Sequence, residues 1–260
     1  MIVVCLYVDD IGYTSSSEKL LVEFRQKMVN EFEMIDIRQQ NYFLALEETQ
    51  RKDSTFVGEQ KYARDLLNRF SMSKCKIATT LMNVSEKLQL EDGGAAADEY
   101  QFRSLVGGLI YLAHSRPDIA HAVGVISRFM HKPSIIHLGA AKMVMRYVAG
   151  FIDLGLWYGK TGCVNPNGYT DSDWASYVEN RKSTSANLFS IGSGVVSWCL
   201  KKQEVVALSM MEAEYIAAIA AAVCQATWLR KILIELGQEQ KAATPIFSVA
   251  EQQQQQRAAS

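Results

Sequence analysis

The sequence is poor in cysteine, and its few cysteines form no pattern. They are odd in number and scattered, and no two of them make a CxxC pair, which argues against a disulfide framework and against a zinc ribbon. No apolar stretch reaches the roughly 18 residues that a membrane helix needs, and the start of the chain has no basic leader of a signal peptide. We therefore expect an intracellular protein, cytoplasmic or nuclear, that is not secreted and has no membrane partner. The five cysteines are Cys5, Cys75, Cys163, Cys199 and Cys224.

The chain also lacks a strong net charge, since its formal charge at pH 7 is −1. Residues 100–160 differ from this average, because they hold seven Lys or Arg against two acids. A basic segment in a neutral chain points to a phosphate-rich partner, although a solvated helix face explains the same charges equally well. The basic residues are Arg103, Arg116, Arg128, Lys132, Lys142, Arg146 and Lys160, and the acids are Asp118 and Asp153.

The chain opens with the stretch MIVVCLYVDD, in which an apolar run ends in two adjacent aspartates. Residues 2–8 have the composition of a buried strand, Asp9 and Asp10 that of a turn, and residues 11–14 that of a returning strand. Serines at 15–17 then offer the N-cap of a first amphipathic helix, over 18–32, and a second helical pattern follows at 61–72. This order predicts an α+β layer with acids on its rim. The pair indicates either an active site or an ordinary polar turn, and this segment alone leaves both open.

Changes in composition predict the domain boundaries. Residues 83–99 are polar and then rich in Gly and Ala, which is typical of a linker, and residues 100–150 have a helical pattern. From residue 168 the sequence predicts several strands separated by turns, and the last of these strands covers 204–209. A helix over about 210–236 and a further short strand follow. The predicted units are a first domain, 1–82, a linker and helical domain, 83–160, a strand and helix domain, 161–249, and a disordered Gln-rich tail, 250–260.

Three acids of the C-terminal block are candidates for a metal site. Asp171 lies on its first strand, and Glu212 and Glu214 lie in the first turns of the long helix, where they point about 200° away from each other. Ser209 and Glu212 form the S-x-x-E pattern of a capping box. We therefore assign Glu212 to the cap and Glu214 to the sheet side, near Asp171. Two such carboxylates suit Mg²⁺ and phosphodiester hydrolysis, whereas the alternative is a turn acid and a surface acid, and spacing alone leaves both open.

Several longer motifs occur in one order along the chain: YVDD, YARDLLNRFSM, YQFRSLVGGLIYLAHSRPDIAHAV, YTDSDWA, RKSTSANLFSIGSGVVSWCLKKQEVVALS and MEAEYIAAIAAAVCQATWLRKIL. This order resembles the polyprotein of copia-type long-terminal-repeat retrotransposons, from the later part of reverse transcriptase into ribonuclease H, up to about residue 249. The resemblance implies an α+β fold with three parts. These are a reverse-transcriptase palm fragment, a helical thumb or connection, and an incomplete ribonuclease H-like mixed sheet with a long helix.

The resemblance also implies roles for particular residues. In this family the Tyr-x-Asp-Asp turn holds Mg²⁺ for DNA synthesis, so Asp9 and Asp10 would be catalytic and metal-binding, and Tyr7 would pack near the nucleic acid. Asp171 and Glu214 would be the first two catalytic, metal-binding carboxylates of ribonuclease H. The helical middle would grip a primer–template duplex or RNA–DNA hybrid. The candidate nucleic-acid contacts there are Arg116, Arg128, Lys142 and Arg146.

The chain departs from this family at both carboxylate sites. The family's third palm aspartate lies on a strand before the point where this sequence begins, and Val249 stands where the third ribonuclease H carboxylate would fall. Active-site groups act as a unit, and losing one typically costs orders of magnitude in rate. We therefore expect a catalytically impaired fragment of a reverse transcriptase and ribonuclease H. The alternatives are a non-catalytic remnant that binds nucleic acid or interacts with an intact retrotransposon polymerase, and a decayed copy without a selected role.

Overall fold

The computed structural model describes residues 1–37, 42–43, 45–82, 88–160, 164–177 and 180–248. In this part of the chain it shows helices and three sheets, which confirms the predicted α+β class. The predictions for Val249, for the Gln-rich tail and for part of the 83–99 linker lie outside the described residues. The strands are β1 (Ile2–Tyr7), β2 (Asp10–Ser15), β3 (Tyr42–Phe43), β4 (Leu46–Gln50), β5 (Ser54–Gly58), β6 (Leu156–Gly159), β7 (Pro166–Ser172), β8 (Thr184–Ile191), β9 (Gly194–Lys202) and β10 (Ile246–Ser248), and the helices are α1 (Glu18–Glu31), α2 (Gln60–Arg69), α3 (Glu99–Leu112), α4 (Pro117–Ser127), α5 (Ile135–Gly150), α6 (Met210–Ala220) and α7 (Thr227–Glu235).

The N-terminal hairpin is formed as predicted, but it is not buried. β1 and β2 pair antiparallel, with Tyr7 opposite Asp10 across the turn. Helix α1 lies against β2, and none of its 14 residues, all within the described part of the chain, is buried. Leu6 is 71% exposed and Val8 79% exposed. The predicted buried strand is therefore wrong for this structure, because no third strand of the described residues joins the hairpin.

Helices α2 to α5 share one hydrophobic core. Leu66 of α2, Phe102 of α3, Ile126 of α4 and Val144 of α5 are all buried in it, because each helix collects apolar residues on one side. The sheet with the order β3-β4-β5-β6 adjoins this unit, because the Glu47 carboxylate of β4 accepts the backbone N–H of Lys61 in the first turn of α2. The predicted boundary at residue 82 therefore runs through a single packed unit, and β5 and β6 are strands that the sequence analysis missed.

The C-terminal part is a mixed sheet crossed by a long helix, as predicted. The strand order is β10-β7-β8-β9, with β10 parallel to β7 and the other pairs antiparallel. α6, a π-helical turn over Ala221–Ala226 and α7 follow one another without a break. Gln203, next to the end of β9, donates from its side-chain amide to the carbonyl oxygen of Ala213 at 2.9 Å, which fixes the start of α6 on the sheet. Residues 204–209, predicted as extended, form no strand, and the chain bends at 204–205 and at 208–209.

The long helix begins and ends where its sequence predicts. The N–H of Glu212 donates to the hydroxyl of Ser209 at 3.1 Å, and Gly237, with φ +70°, follows the last turn. By length and composition this helix, Met210–Glu235, is also long and apolar enough to cross a membrane. The prediction that no segment meets this criterion is therefore wrong. A helix that covers a sheet meets it as well, and Ala217 and Leu229 are buried within the fold.

The helical unit packs against the β9 side of the C-terminal sheet. The indole N–H of Trp198 on β9 donates to the carbonyl oxygen of Ala113 at 3.0 Å. Arg128, which follows α4, donates to the hydroxyl of Thr184 on β8 at 3.2 Å. Strand alternation assigns the two faces of the sheet: Phe189 packs toward the long helix, while Trp198 and Thr184 face the helical unit.

Candidate functional site

The turn of the N-terminal hairpin presents two carboxylates to solvent. Val8 has φ +49°, a left-handed conformation that closes the turn, and both Asp9 and Asp10 are exposed. Beside them lies a cleft of about 360 Å³ between the hairpin, α1 and the segment after α1. An ion pair of 3.2 Å between Arg25 and Asp36 holds this segment against α1. The hairpin therefore displays its acids rather than enclosing them.

Neither carboxylate pair completes a metal site. Two divalent ions about 4 Å apart need more oxygen ligands than two side chains supply. Within the described ranges, no three His, Cys, Asp or Glu side chains come together as a possible metal-binding group. Glu33 and Asp36 line the same cleft as Asp9 and Asp10, but among the described residues they do not join the pair in such a group. No third ligand joins Asp171 and Glu214 there either. The residues present do not fit a complete Mg²⁺ centre for phosphoryl chemistry.

Glu214 is the inward-facing acid of α6 and lies at the end of β7. One carboxylate oxygen accepts a hydrogen bond from the backbone N–H of Ser172 at 3.3 Å, and the other accepts one from the hydroxyl of Ser248 at 3.4 Å. Burial raises the pKa of Glu214, and the negative charge of Asp171 raises it further, while the Ser172 N–H acts in the opposite direction. Asp171 is exposed. The pair thus combines one solvated and one partly buried carboxylate.

The neighbouring acid Glu212 lies at the start of the helix, where only half of the predicted capping box forms: Ser209 accepts the Glu212 N–H, but the Glu212 carboxylate does not accept the N–H of Ser209. The Glu212 carboxylate accepts the backbone N–H of Leu208 at 2.8 Å. Ser248, by contrast, is a site neighbour that the sequence analysis missed. Its position depends on the parallel pairing that sets Ser248 opposite Thr170, and such a long-range pairing has no local sequence signal.

Arg116 does not present its charge to a ligand. Its side chain is 2% exposed and forms two hydrogen bonds to the Asp118 carboxylate, at 2.8 and 2.7 Å. A third donor reaches the carbonyl oxygen of Phe151 at 2.8 Å. These bonds tie the start of α4 to the end of α5. The predicted phosphate contact of Arg116 does not fit this geometry, because its donors are used inside the protein.

The other predicted nucleic-acid contacts lie in separate places. Lys142 is exposed on α5, and one turn later Arg146 donates to the carbonyl oxygen of Lys76 at 2.5 Å. Arg128 lies instead at the C-terminal sheet, and Tyr7 is 51% exposed beside the N-terminal turn. The structure therefore does not gather these four residues into one surface, and their contacts with nucleic acid stay predictions.

Two further features escaped the sequence analysis. The guanidinium of Arg128 lies 3.8 Å from the ring centroid of Tyr177, and the amine of Lys202 lies 3.7 Å from the same centroid. The pairs of adjacent basic residues at 181–182 and 201–202 are the sequence signal that could have indicated this basic cluster.

The second feature is Glu59, at the start of α2, which is 4% exposed. Burial raises its pKa to about 7, although a hydrogen bond with Ser115 acts in the opposite direction.

Comparison with known proteins agrees with these features. Residues 1–84, which include the Tyr-x-Asp-Asp hairpin, match the family described as reverse transcriptase (RNA-dependent DNA polymerase). Similarity to curated retrotransposon proteins continues over most of the chain. The chain belongs to the family of copia-type retrotransposon Pol polyproteins.

Individual relatives differ in how much of them this chain spans. It is 36% identical to the retrovirus-related Pol polyprotein from transposon RE1 of Arabidopsis thaliana, over 89% of this chain and 16% of that protein. It is 36% identical to the Pol polyprotein from transposon TNT 1-94 of Nicotiana tabacum, over 92% of this chain and 19% of that protein. An uncharacterized mitochondrial protein of Arabidopsis thaliana, AtMg00810, is 36% identical over 86% of this chain, which spans 92% of that protein. No solved structure matches the chain.

Proposed function

We propose that this chain is the later part of a retrotransposon reverse transcriptase followed by a ribonuclease H-like unit. In this assignment β1, β2 and α1 are part of the palm, α2 to α5 form the thumb or connection, and β7 to β10 with the long helix are the ribonuclease H-like part. The observation that carries the proposal is the exposed Asp9–Asp10 turn of a hairpin within the residues that match the reverse-transcriptase family. The hydrogen bond from the backbone N–H of Ser172, the residue after Asp171, to the Glu214 carboxylate supports the ribonuclease H assignment.

We further propose that the chain by itself is catalytically impaired. Within the described residues, neither carboxylate pair belongs to a group of three His, Cys, Asp or Glu side chains that could hold a metal ion. Mg²⁺, the ion implied by the family, would hold substrate phosphates and activate the attacking group if further ligands came from elsewhere. The residues of this chain would then contribute two carboxylates at each place and no more.

Catalysis is tested directly with the purified chain. We expect that with Mg²⁺ it neither extends a primer on an RNA template nor cleaves the RNA strand of an RNA–DNA hybrid. Asp10→Asn and Glu214→Gln are the matched controls, since each removes one charge from one pair and changes the side chain little. Mg²⁺-dependent extension that Asp10→Asn abolishes, or cleavage that Glu214→Gln abolishes, would contradict the proposed impairment and show a working site.

The proposed partner is an RNA–DNA hybrid or a primer–template duplex, bound without sequence preference. The family and the positive balance of residues 100–160 support this proposal. Contacts to phosphates release counterions, so the affinity must fall steeply with salt. A wild-type chain that fails to bind hybrid at low salt would contradict it.

With such a partner we propose an intracellular location, cytoplasmic or nuclear. Recovery of the expressed protein only from the culture medium would refute this location.

A second candidate role is interaction with an intact copia-type polymerase. The observation that favours it is the apolar surface of the N-terminal hairpin unit, which we define as β1, β2, α1 and the segment after α1 up to residue 37, where Leu6 is 71% exposed and Ile35 is 90% exposed. Exposed apolar surface of this kind commonly marks a protein interaction site. Inhibition of primer extension by such a polymerase is the measurement that tests this role.

A further inference from the structure

The long helix leaves a row of large apolar side chains in solvent. We propose that a second copy of this chain docks on this row, so that two long helices pack antiparallel about a twofold axis. The inference goes beyond the proposed function and does not depend on it. We call the row the outer face, and its members are Leu208, Met211, Tyr215, Ile219, Val223 and Trp228.

The outer face lies opposite the side by which the helix packs on the sheet. Ala213, Ala217, Leu229 and Leu233 are buried against the rest of the fold. The six residues of the outer face are instead between 47% and 85% exposed. A helix on the surface of a globular protein ordinarily turns polar residues toward solvent. This helix is apolar on both sides, which is typical of a helix that has a second packing partner.

The π-helical turn over Ala221–Ala226 keeps the row on one side of the helix. Met211, Tyr215, Ile219 and Val223 follow one another at intervals of four residues, and in an α-helix such a row drifts by about 40° at each step. A π turn closes its hydrogen bonds over five residues instead of four, so it has more residues per turn and turns the row back. The apolar side chains therefore form one band that is nearly parallel to the helix axis.

The area of the outer face matches what a dimer needs. Counting roughly 150 Å² for each such side chain when it is fully exposed, the six leave on the order of 600 Å² per copy in solvent. A symmetric pair would bury about 1,200 Å² in total, which is the lower end for specific, stable interfaces. We therefore expect a dimer with a dissociation constant in the micromolar range.

The two ends of the outer face carry opposite charge. Glu212 is exposed in the first turn of the helix, and Lys231 is exposed near its end. Arg230 adds a second cation at that end, against the single acid Glu235. In an antiparallel pair the first turn of one helix lies beside the last turns of the other. Each Glu212 would then meet the Lys231 end of the second copy, and this complementarity favours a second copy as the occupant.

The charges do not favour a lipid bilayer as the occupant, although the helix is apolar enough to cross one. Between residues 203 and 229 the sequence has no Lys or Arg and three acids, Glu204, Glu212 and Glu214. Helices that lie on membranes typically carry basic residues beside their apolar face, because these attract anionic lipid headgroups. A second copy suits an apolar band with an acidic start better than a membrane surface does.

The test measures the mass of the full chain by sedimentation equilibrium over a range of concentrations. We expect wild type to form dimers at micromolar concentration and to dissociate on dilution. Tyr215→Lys and Ile219→Lys should each raise the dissociation constant at least about tenfold, because each places a charge in the apolar band. The matched control is Tyr100→Lys, which changes an exposed tyrosine on helix α3 and should leave the dimer intact.

Charge reversal tests the antiparallel orientation. Glu212→Lys and Lys231→Glu should each weaken the dimer, because each brings like charges together across the interface. The combined variant exchanges the two signs and should restore the dimer. Lys142→Glu, on the exposed side of α5, is the control and should dimerise like wild type. A thermal melt like that of wild type shows that a variant is folded, and Lys231→Glu decides alone if Glu212→Lys does not fold.

Four results would overturn the inference. The first is a wild-type chain that stays monomeric throughout the micromolar range. The second is a dimer that Leu6→Ser with Ile35→Ser dissociates while Tyr215→Lys leaves it intact, since the contact would then lie on the N-terminal hairpin unit. The third is a combined charge variant that dimerises no better than its single variants. The fourth is a chain that binds phosphatidylcholine vesicles only when Tyr215 is present, since a bilayer would then be the occupant.

Discussion

At the scale of single residues, burial decides what an ionisable side chain does in this protein. Arg116 has the charge of a phosphate-binding residue, yet its guanidinium is enclosed and bound to Asp118 and to a backbone carbonyl. Glu59 is enclosed with less compensation, because apart from its hydrogen bond with Ser115 one of its carboxylate oxygens has no hydrogen-bond partner among the described residues. An uncompensated carboxylate prefers to be protonated in such surroundings.

Glu59 should make the stability of the protein depend on pH. Its pKa is raised from 4.5 to about 7 in the folded chain, so the folded state holds a proton that the unfolded state releases between these values. The free energy of unfolding therefore falls as pH rises through this window, by up to about 3 kcal/mol. Glu59→Gln removes the titration and should remove this part of the decline.

The measurement is urea denaturation of wild type and Glu59→Gln at several values between pH 4.5 and 8. We expect the stability of the variant relative to wild type to increase with pH and to level off above pH 7. Comparing the two proteins at each pH cancels the titration of all other groups. If the stabilities of wild type and variant changed in parallel over the whole pH range, the pKa of Glu59 would not be raised in the folded protein.

At the scale of secondary-structure elements, close packing of α2 against α3 depends on one glycine. A Cβ atom built on Gly108 would collide with Cδ1 of Leu66, whereas one built on the adjacent Gly107 meets nothing within 4 Å. Both glycines lie in the middle of α3. They therefore form a natural matched pair, in which the same substitution tests either packing or helix propensity.

We expect opposite effects from alanine at these two positions. Gly108→Ala should destabilise the protein by about 1–3 kcal/mol, because the added methyl group overpacks the core. Gly107→Ala should stabilise it by about 0.5–1 kcal/mol, because alanine loses less backbone entropy in a helix. Thermal or chemical denaturation measures both. Equal effects would mean that α2 and α3 are not as close as the structure places them.

At the scale of the whole molecule, the chain divides into a packed part and an exposed part. The helical unit buries its apolar residues in one core, and the C-terminal sheet with its long helix buries its own in another. The N-terminal hairpin unit leaves apolar side chains in solvent, with Val8 79% and Ile35 90% exposed. Exposed apolar surface favours association, and the chain spans only 16% of the RE1 polyprotein.

The proposed polymerase interaction therefore has a defined surface to test. We expect an excess of this chain to reduce primer extension by an intact copia-type polymerase, and Leu6→Ser with Ile35→Ser to weaken the inhibition. Val196→Ser is the control, because Val196 is 37% exposed on β9, outside the hairpin unit, and should inhibit like wild type. The chain could also inhibit by binding the template itself. Adding excess template distinguishes the two causes, because it relieves inhibition that comes from nucleic-acid binding alone. Undiminished extension at high excess of the chain would refute the interaction.

The sequence alone determined the features that depend on neighbouring residues. The YVDD turn, the Ser209 N-cap of the long helix, the glycine after that helix and the inward side of Glu214 all follow from local spacing, because turn geometry and the helical period act over a few residues. The ordered motifs also identified the family. Only the tertiary structure decided the burial of Arg116 and Glu59, the β5–β6 pairing and the basic cluster around Tyr177. These depend on residues far apart in the chain, whose meeting is set by packing of the whole fold and leaves no local pattern.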